Sequence, residues 1–168
     1  MGRAIAIAAV LAAGLAAGCS GGGEEAAPRQ EKAAAPATLP LGQWEVSSEV
    51  TRFSKQDKGS PKIDTPVGTK ASGGACVSDA KRPDPKLFVG DKYDCTYRDS
   101  YITSGTLNAN LECRRAGLSG QIMFAVNGSY TADTLEAEVG TTTYLSSDGD
   151  VQVGTKLTGR RTGDCAAQ

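Results

Sequence analysis

YDCTYRDSYITSGTLNANLEC, residues Tyr93–Cys113, decides the fold. Successive residues of an extended chain face opposite ways. Tyr93, Cys95, Tyr97 and Tyr101 therefore share one face of a strand, and Leu107, Ala109, Leu111 and Cys113 share one face of the next. Folding the stretch about Ser104 sets Cys95 opposite Cys113, Tyr97 opposite Leu111 and Tyr101 opposite Leu107. The loop is then Thr103-Ser104-Gly105, with Gly105 at the left-handed position that completes a three-residue hairpin. Directly opposed residues in a non-hydrogen-bonded antiparallel pair lie about 4.5 Å apart at Cα, within reach of a disulfide. The domain holds four cysteines, Cys76, Cys95, Cys113 and Cys165. Of their three pairings, this register selects Cys95–Cys113 and leaves Cys76 to Cys165.

Moving outward, the same design recurs at Ser147-Asp148-Gly149, which sets Leu145 opposite Val151, Thr143 opposite Val153 and Val139 opposite Leu157. Between the hairpins Leu118, Ile122, Phe124, Val126 and Tyr130 alternate along a strand that turns at Thr131–Asp133 into Leu135, Ala137 and Val139. Upstream, Trp44, Val46 and Val50 share a face, while Glu45, Ser47, Glu49 and Thr51 share the other. Only Pro83–Gly90 lacks alternation; there Asp84-Pro85-Lys86-Leu87 suits a short helical turn with Pro85 near its start. A period of two from Leu41 onward, broken by turn residues, predicts an all-β domain. The expected architecture is an antiparallel up-and-down meander of about seven or eight strands, forming a barrel or a strongly curved half-barrel with two disulfides. Such an interior is either filled by side chains or holds one small ligand. Tyr97, Tyr101, Phe124 and Tyr130 are its aromatic candidates for a lining, and small Ala109, Gly120 and Gly128 would either leave room or suit strand crossing and tight packing.

Ahead of this domain lies an export signal. Arg3 supplies a positive start, Ala4–Ala17 is uncharged, and small Ala17 and Gly18 precede Cys19, as signal cleavage requires. The uncharged run is too short and too rich in alanine to span a bilayer, which takes about 20 apolar residues. Leu15-Ala16-Ala17-Gly18-Cys19 resembles the lipobox of bacterial lipoproteins, departing from it at Ala16, where leucine is commonest. The resemblance implies a diacylglycerol on the Cys19 sulfur, cleavage before it and acylation of the new amino group, so the expected membrane partner is reached through lipid. It divides the chain into a signal peptide (1–18), a lipidated N-terminus with tether (19–40) and a single β-domain (41–168). Ser20–Pro40, with Leu39 its only large apolar residue, cannot bury a core and reads as disordered. As a flexible coil it reaches on the order of 25 Å. Ser20, rather than Asp, follows the lipidated cysteine; the resemblance then places the anchor in the outer membrane, facing the periplasm.

Composition narrows the function. Lysine and arginine number 18 against 19 acidic residues, with no basic block, which argues against nucleic acid. The chain contains no histidine, removing the usual Ser/His and Cys/His dyads. Without histidine or a C-x-x-C pair, the cysteines do not read as a zinc module. Carboxylates remain. Asp148 and Asp150 flank Gly149 at a hairpin tip, where aspartate favours turns, and Asp91 and Asp94 bracket the start of the Tyr93 strand on a solvated surface. Asn127-Gly128-Ser129 fits a glycosylation acceptor but reads as strand. The chain is expected not to be an enzyme and to need no cofactor or metal.

Several pieces in order along the chain resemble the bacterial domain of unknown function 3617. They are a lipobox, a G-x-W-E opening at Gly42, Trp44 and Glu45, cysteines at Cys76, Cys95 and Cys113, a G-x-Y segment at Gly128 and Tyr130, and a closing R-x-G-D-C at Arg161–Cys165. The resemblance covers nearly all of Leu41–Cys165 and implies no activity. A looser resemblance is to lipocalin-like barrels, which open with G-x-W and lay an arginine of the last strand over that tryptophan; here it implies Arg160 or Arg161 covering Trp44, a contact of roughly 0.5–2 kcal/mol, while the simpler reading takes Trp44 as the domain's largest core residue. The leading expectation is a non-catalytic structural or interaction module of the bacterial envelope. The alternative is a carrier for a small apolar ligand or lipid in the barrel interior.

Overall fold

The alternation is realised in seven strands: β1 (Gly42–Lys55), β2 (Lys70–Val77), β3 (Asp94–Thr103), β4 (Thr106–Arg114), β5 (Gly120–Tyr130), β6 (Thr134–Leu145) and β7 (Val151–Gly163). This is a computed structural model, and it describes residues 35–58, 60–147 and 149–166. The expected signal peptide, the expected lipidation position Cys19, the expected tether up to residue 34 and Asp148 lie outside the described residues.

All neighbouring strands are antiparallel, in the order β2-β1-β7-β6-β5-β4-β3. The outermost strands, β2 and β3, are consecutive in the chain but not paired with each other. The sheet is therefore a curled half-barrel, not a closed barrel. Register breaks at Gln43/Trp44 and Val50/Arg52, where β1 meets β7, add local twist and help it curl. The concave side collects the alternating apolar residues, among them Trp44, Leu107, Leu111, Ile122, Val126 and Leu135, each almost wholly removed from solvent. Burial of such side chains stabilises by about 1.5–3 kcal/mol each.

Both expected disulfides are present. Cys95–Cys113 joins directly paired residues of β3 and β4 with Cα atoms 4.1 Å apart, and Cys76–Cys165 joins β2 to the chain just after β7 across 5.5 Å. The hairpin register follows expectation through Tyr97↔Leu111, then departs. A bulge between Tyr97 and Asp99 shifts the pairing, so that Ile102 rather than Tyr101 stands opposite Leu107. Ile102 is buried and Tyr101 is 63% exposed. The turn closes with two residues instead of three: Ser104 and Gly105 both have positive φ (49° and 78°), the tight geometry that matches strand twist.

The second hairpin keeps the predicted faces with a register displaced by two residues. Thr141 pairs with Val153 and Ala137 with Leu157, a shift that returns each side chain to its own side. The cause is Asp150, whose Oδ1 accepts the Leu145 N–H (2.7 Å) and the Thr143 hydroxyl (3.0 Å). A carboxylate thus stands where ladder pairing was expected.

The last residues of the expected tether are seated on the sheet. Ala37 O accepts the Ser104 N–H (3.0 Å) and the Thr103 hydroxyl (3.0 Å), Leu39 is completely buried, and the Trp44 indole N–H donates to Pro40 O (3.0 Å). Composition missed this because one leucine placed beside a hairpin tip does not need periodicity to bury.

Candidate functional site

The chain between β2 and β3 determines the site. These strands bound the open side of the half-barrel, and the connection between them crosses it. It contains a single helical turn, α1 (Lys86–Val89). Pro85 presets the backbone at φ −52°, Asp84 Oδ1 accepts the Lys86 N–H (2.9 Å), and Gly90 ends the turn at φ 77°, a conformation glycine adopts without cost. The turn directs Leu87 and Phe88 inward, where both are buried.

Both flanks of this crossing are tied down. Asp79 Oδ1 accepts the N–H groups of Lys81 and Arg82, and these bonds hold its carboxyl below the usual aspartate range. Tyr97 donates its hydroxyl to Pro83 O (2.7 Å), and Ser100 bonds Lys81 O. Burial, reinforced by the nearby charges of Asp84 and Asp79, pushes the Tyr97 phenol well above its ordinary range. On the far flank, Tyr93 meets Phe124 edge to face at 4.9 Å, with the Arg115 guanidinium 5.8 Å from the Tyr93 ring centre.

Beside the crossing lies a trough of about 480 Å³, bordered by side chains including Val50, Phe124, Val139, Val153 and Leu157 on its floor and by Leu87 and Phe88 on one wall. These apolar side chains pack closely enough that each is less than a tenth exposed. Ile63 and Thr65, from the loop joining β1 to β2, form another wall, and hydroxyls including those of Ser48, Ser72, Thr141 and Thr155 also border it. Charge is confined to the rim: Lys70, Lys86, Lys92 and Asp91. Lys70 is engaged with Glu49 at 3.5 Å. A trough with apolar walls, several bordering hydroxyls and charges at its lip can remove a hydrocarbon surface from water and orient a polar end, since such pockets gain affinity mainly by apolar burial.

The sequence candidates are distributed unevenly around this trough. Of the four aromatic residues proposed as lining, Phe124 alone is among its walls. Tyr97 is spent on Pro83, Tyr101 points to solvent, and Tyr130 is buried, its hydroxyl without a partner among the described residues. Of the two readings of Gly120 and Gly128, tight packing holds. A Cβ at Gly120 would strike the backbone at Tyr144, and one at Gly128 the backbone of Glu136 and Ala137; these glycines let β5 and β6 approach closely. Asp150 shapes its hairpin as described. Asp91 reaches the rim, whereas Asp94 lies exposed at the start of β3.

Trp44 and Arg161 are register partners, and the arginine is held by bonds other than stacking. The Arg161 guanidinium donates to Leu41 O (2.7 Å) and pairs with Asp164 (2.8 Å), and Arg160 is exposed. Among the described residues the cation over an aromatic ring is Arg115 at Tyr93. Trp44 is core, anchored by Pro40. Leu87, Phe88 and Ile63 were missed as site residues because they sit in segments with neither period two nor 3.6. Their signal was an apolar residue stranded between prolines and turn residues.

With this arrangement in view, the family described as "Protein of unknown function (DUF3617)" matches residues 33–165. The chain belongs to the DUF3617 family. No curated protein and no solved structure matches it. The DUF3617 match starts ahead of β1 and takes in the seated segment at residues 35–40, so the region recognised as the family and the region folded around the trough coincide.

Proposed function

We propose that this protein is a lipid-anchored, non-catalytic binding protein of the bacterial envelope that holds a small apolar ligand or lipid in its half-barrel. The trough carries the reading. Its volume of about 480 Å³ lies within the span of small-molecule sites, about 300–1,000 Å³. Location is supported by the Leu15–Cys19 motif and by two disulfides, which persist in oxidising compartments such as the periplasm. Ser20 after the anchored cysteine favours the outer membrane.

The test is to isolate the mature protein from bacterial envelopes, record its intact mass and extract what accompanies it. A mass increased by acyl chains, together with one organic ligand per chain that is not covalently attached, is the expected result. An unacylated chain would refute the anchor. An acylated chain that neither brings a ligand with it nor takes up an added long-chain lipid would return the domain to the structural or interaction role.

A further inference from the structure

We infer that the trough's ligand is a single-chain amphiphile with a singly charged anionic head, a long-chain carboxylate, whose tail lies on the Val139–Val153 floor and whose head meets Lys86 and Lys92. The inference rests on the binding role proposed above and specifies the ligand for it. Charge at the rim carries the argument. The chain as a whole is slightly acidic, with 18 basic and 19 acidic side chains, yet three of the four charged residues bordering the trough are lysines.

Lys70 is offset by Glu49. Lys86 and Lys92 make no ion pair among the described residues and are exposed, and only Asp91 opposes them at the rim. Two uncommitted cations against one carboxylate leave one positive charge in excess, which suits a monoanion. The rim offers no arginine, and so lacks the planar fork that grips phosphate with two parallel bonds; lysine acts as a point charge, adequate for a carboxylate. Below the rim the lining is hydrocarbon apart from hydroxyls, so the head remains at the lip, in reach of both lysines and water, while the tail descends. Lys86 also belongs to α1, the turn that supplies Leu87 and Phe88. One short element therefore presents a cation outward and two apolar walls inward.

The experiment uses the intact chain in isolated envelopes, labelled with a long-chain fatty acid bearing a diazirine in its tail, in parallel with the matching fatty alcohol. Photolysis followed by peptide mapping locates each label. The acid is expected to mark trough peptides about fivefold more than the alcohol, in keeping with two exposed, solvent-screened charge contacts. That preference should vanish in about 1 M salt, where the Debye length is about 3 Å. It should also vanish in the Lys86→Gln, Lys92→Gln double variant, with alcohol labelling unchanged. Equal labelling by acid and alcohol in the unaltered protein would overturn the anionic head and leave the binding role standing. Absence of either label from trough peptides would overturn both.

Discussion

The two hairpins of this half-barrel are built from similar sequence and held by different means. In β3–β4 the tip is set by backbone conformation, with Ser104 and Gly105 both at positive φ, and the far end is set by a covalent bond between Cys95 and Cys113. In β6–β7 the tip is set by one side chain, since Asp150 accepts from the Leu145 N–H and the Thr143 hydroxyl while its own N–H donates to Asp57. The first hairpin's turn and disulfide are local, although its tip also bonds Ala37. The second depends on groups that meet only after β1 has folded beside β7, because Asp57 and Gln56, which bonds Asp150 O, follow β1.

The contrast can be broken from either side. Replacing Cys95 and Cys113 together by alanine should cost about 3 kcal/mol, the chain-entropy figure for a short loop, and should lower the urea midpoint read from the single tryptophan, Trp44. Asp150→Ala should cost about 2 kcal/mol by leaving the Leu145 N–H and Thr143 hydroxyl without their acceptor. Asp150→Asn, which retains one acceptor oxygen, should recover part of that loss. Hydrogen exchange should show protection lost at Leu145 and Val151 while β3–β4 stays protected.

At the first tip, Gly105→Ala should cost about 1–2 kcal/mol because alanine resists positive φ, and its Cβ would also meet Ala35. Ser104→Asn, a better left-handed residue, should instead add about 0.5 kcal/mol. The smallest effect at neutral pH belongs to Tyr97. Its folded phenol titrates above the ordinary value of about 10, so its stabilising contribution is complete below about pH 10 and is lost as pH rises through the folded value. Urea midpoints should therefore fall above about pH 10 in the native protein, and Tyr97→Phe should flatten that fall.

The same contrast explains which features were legible in the residues. Cys95, Tyr97, Leu111 and Cys113 could be paired on paper because alternation, turn and disulfide geometry agreed. Ile102 could not, since a bulge inserts one residue without a compositional mark and turns Tyr101 outward. Asp150 was recognised as a turn maker, but the two-residue displacement it imposes depends on where its carboxylate lands. The trough was harder still. Phe124 stood out on an alternating strand, but Leu87, Phe88 and Ile63 come to it from connections, and a connection's path depends on the sheet beneath it. Lys86 and Lys92 looked like ordinary solvated charges until folding brought both to one lip.

The position of β1 has a mechanical consequence. The N-terminal segment is clasped by Thr103 and Ser104 and leads into a strand flanked by β2 on one side and β7 on the other, while Cys76–Cys165 locks those two flanking regions together. A pull delivered through the N-terminus cannot peel an outer strand away. It must load the bonds of two ladders at once, which makes the N-terminal entry to this domain one of its strongest places.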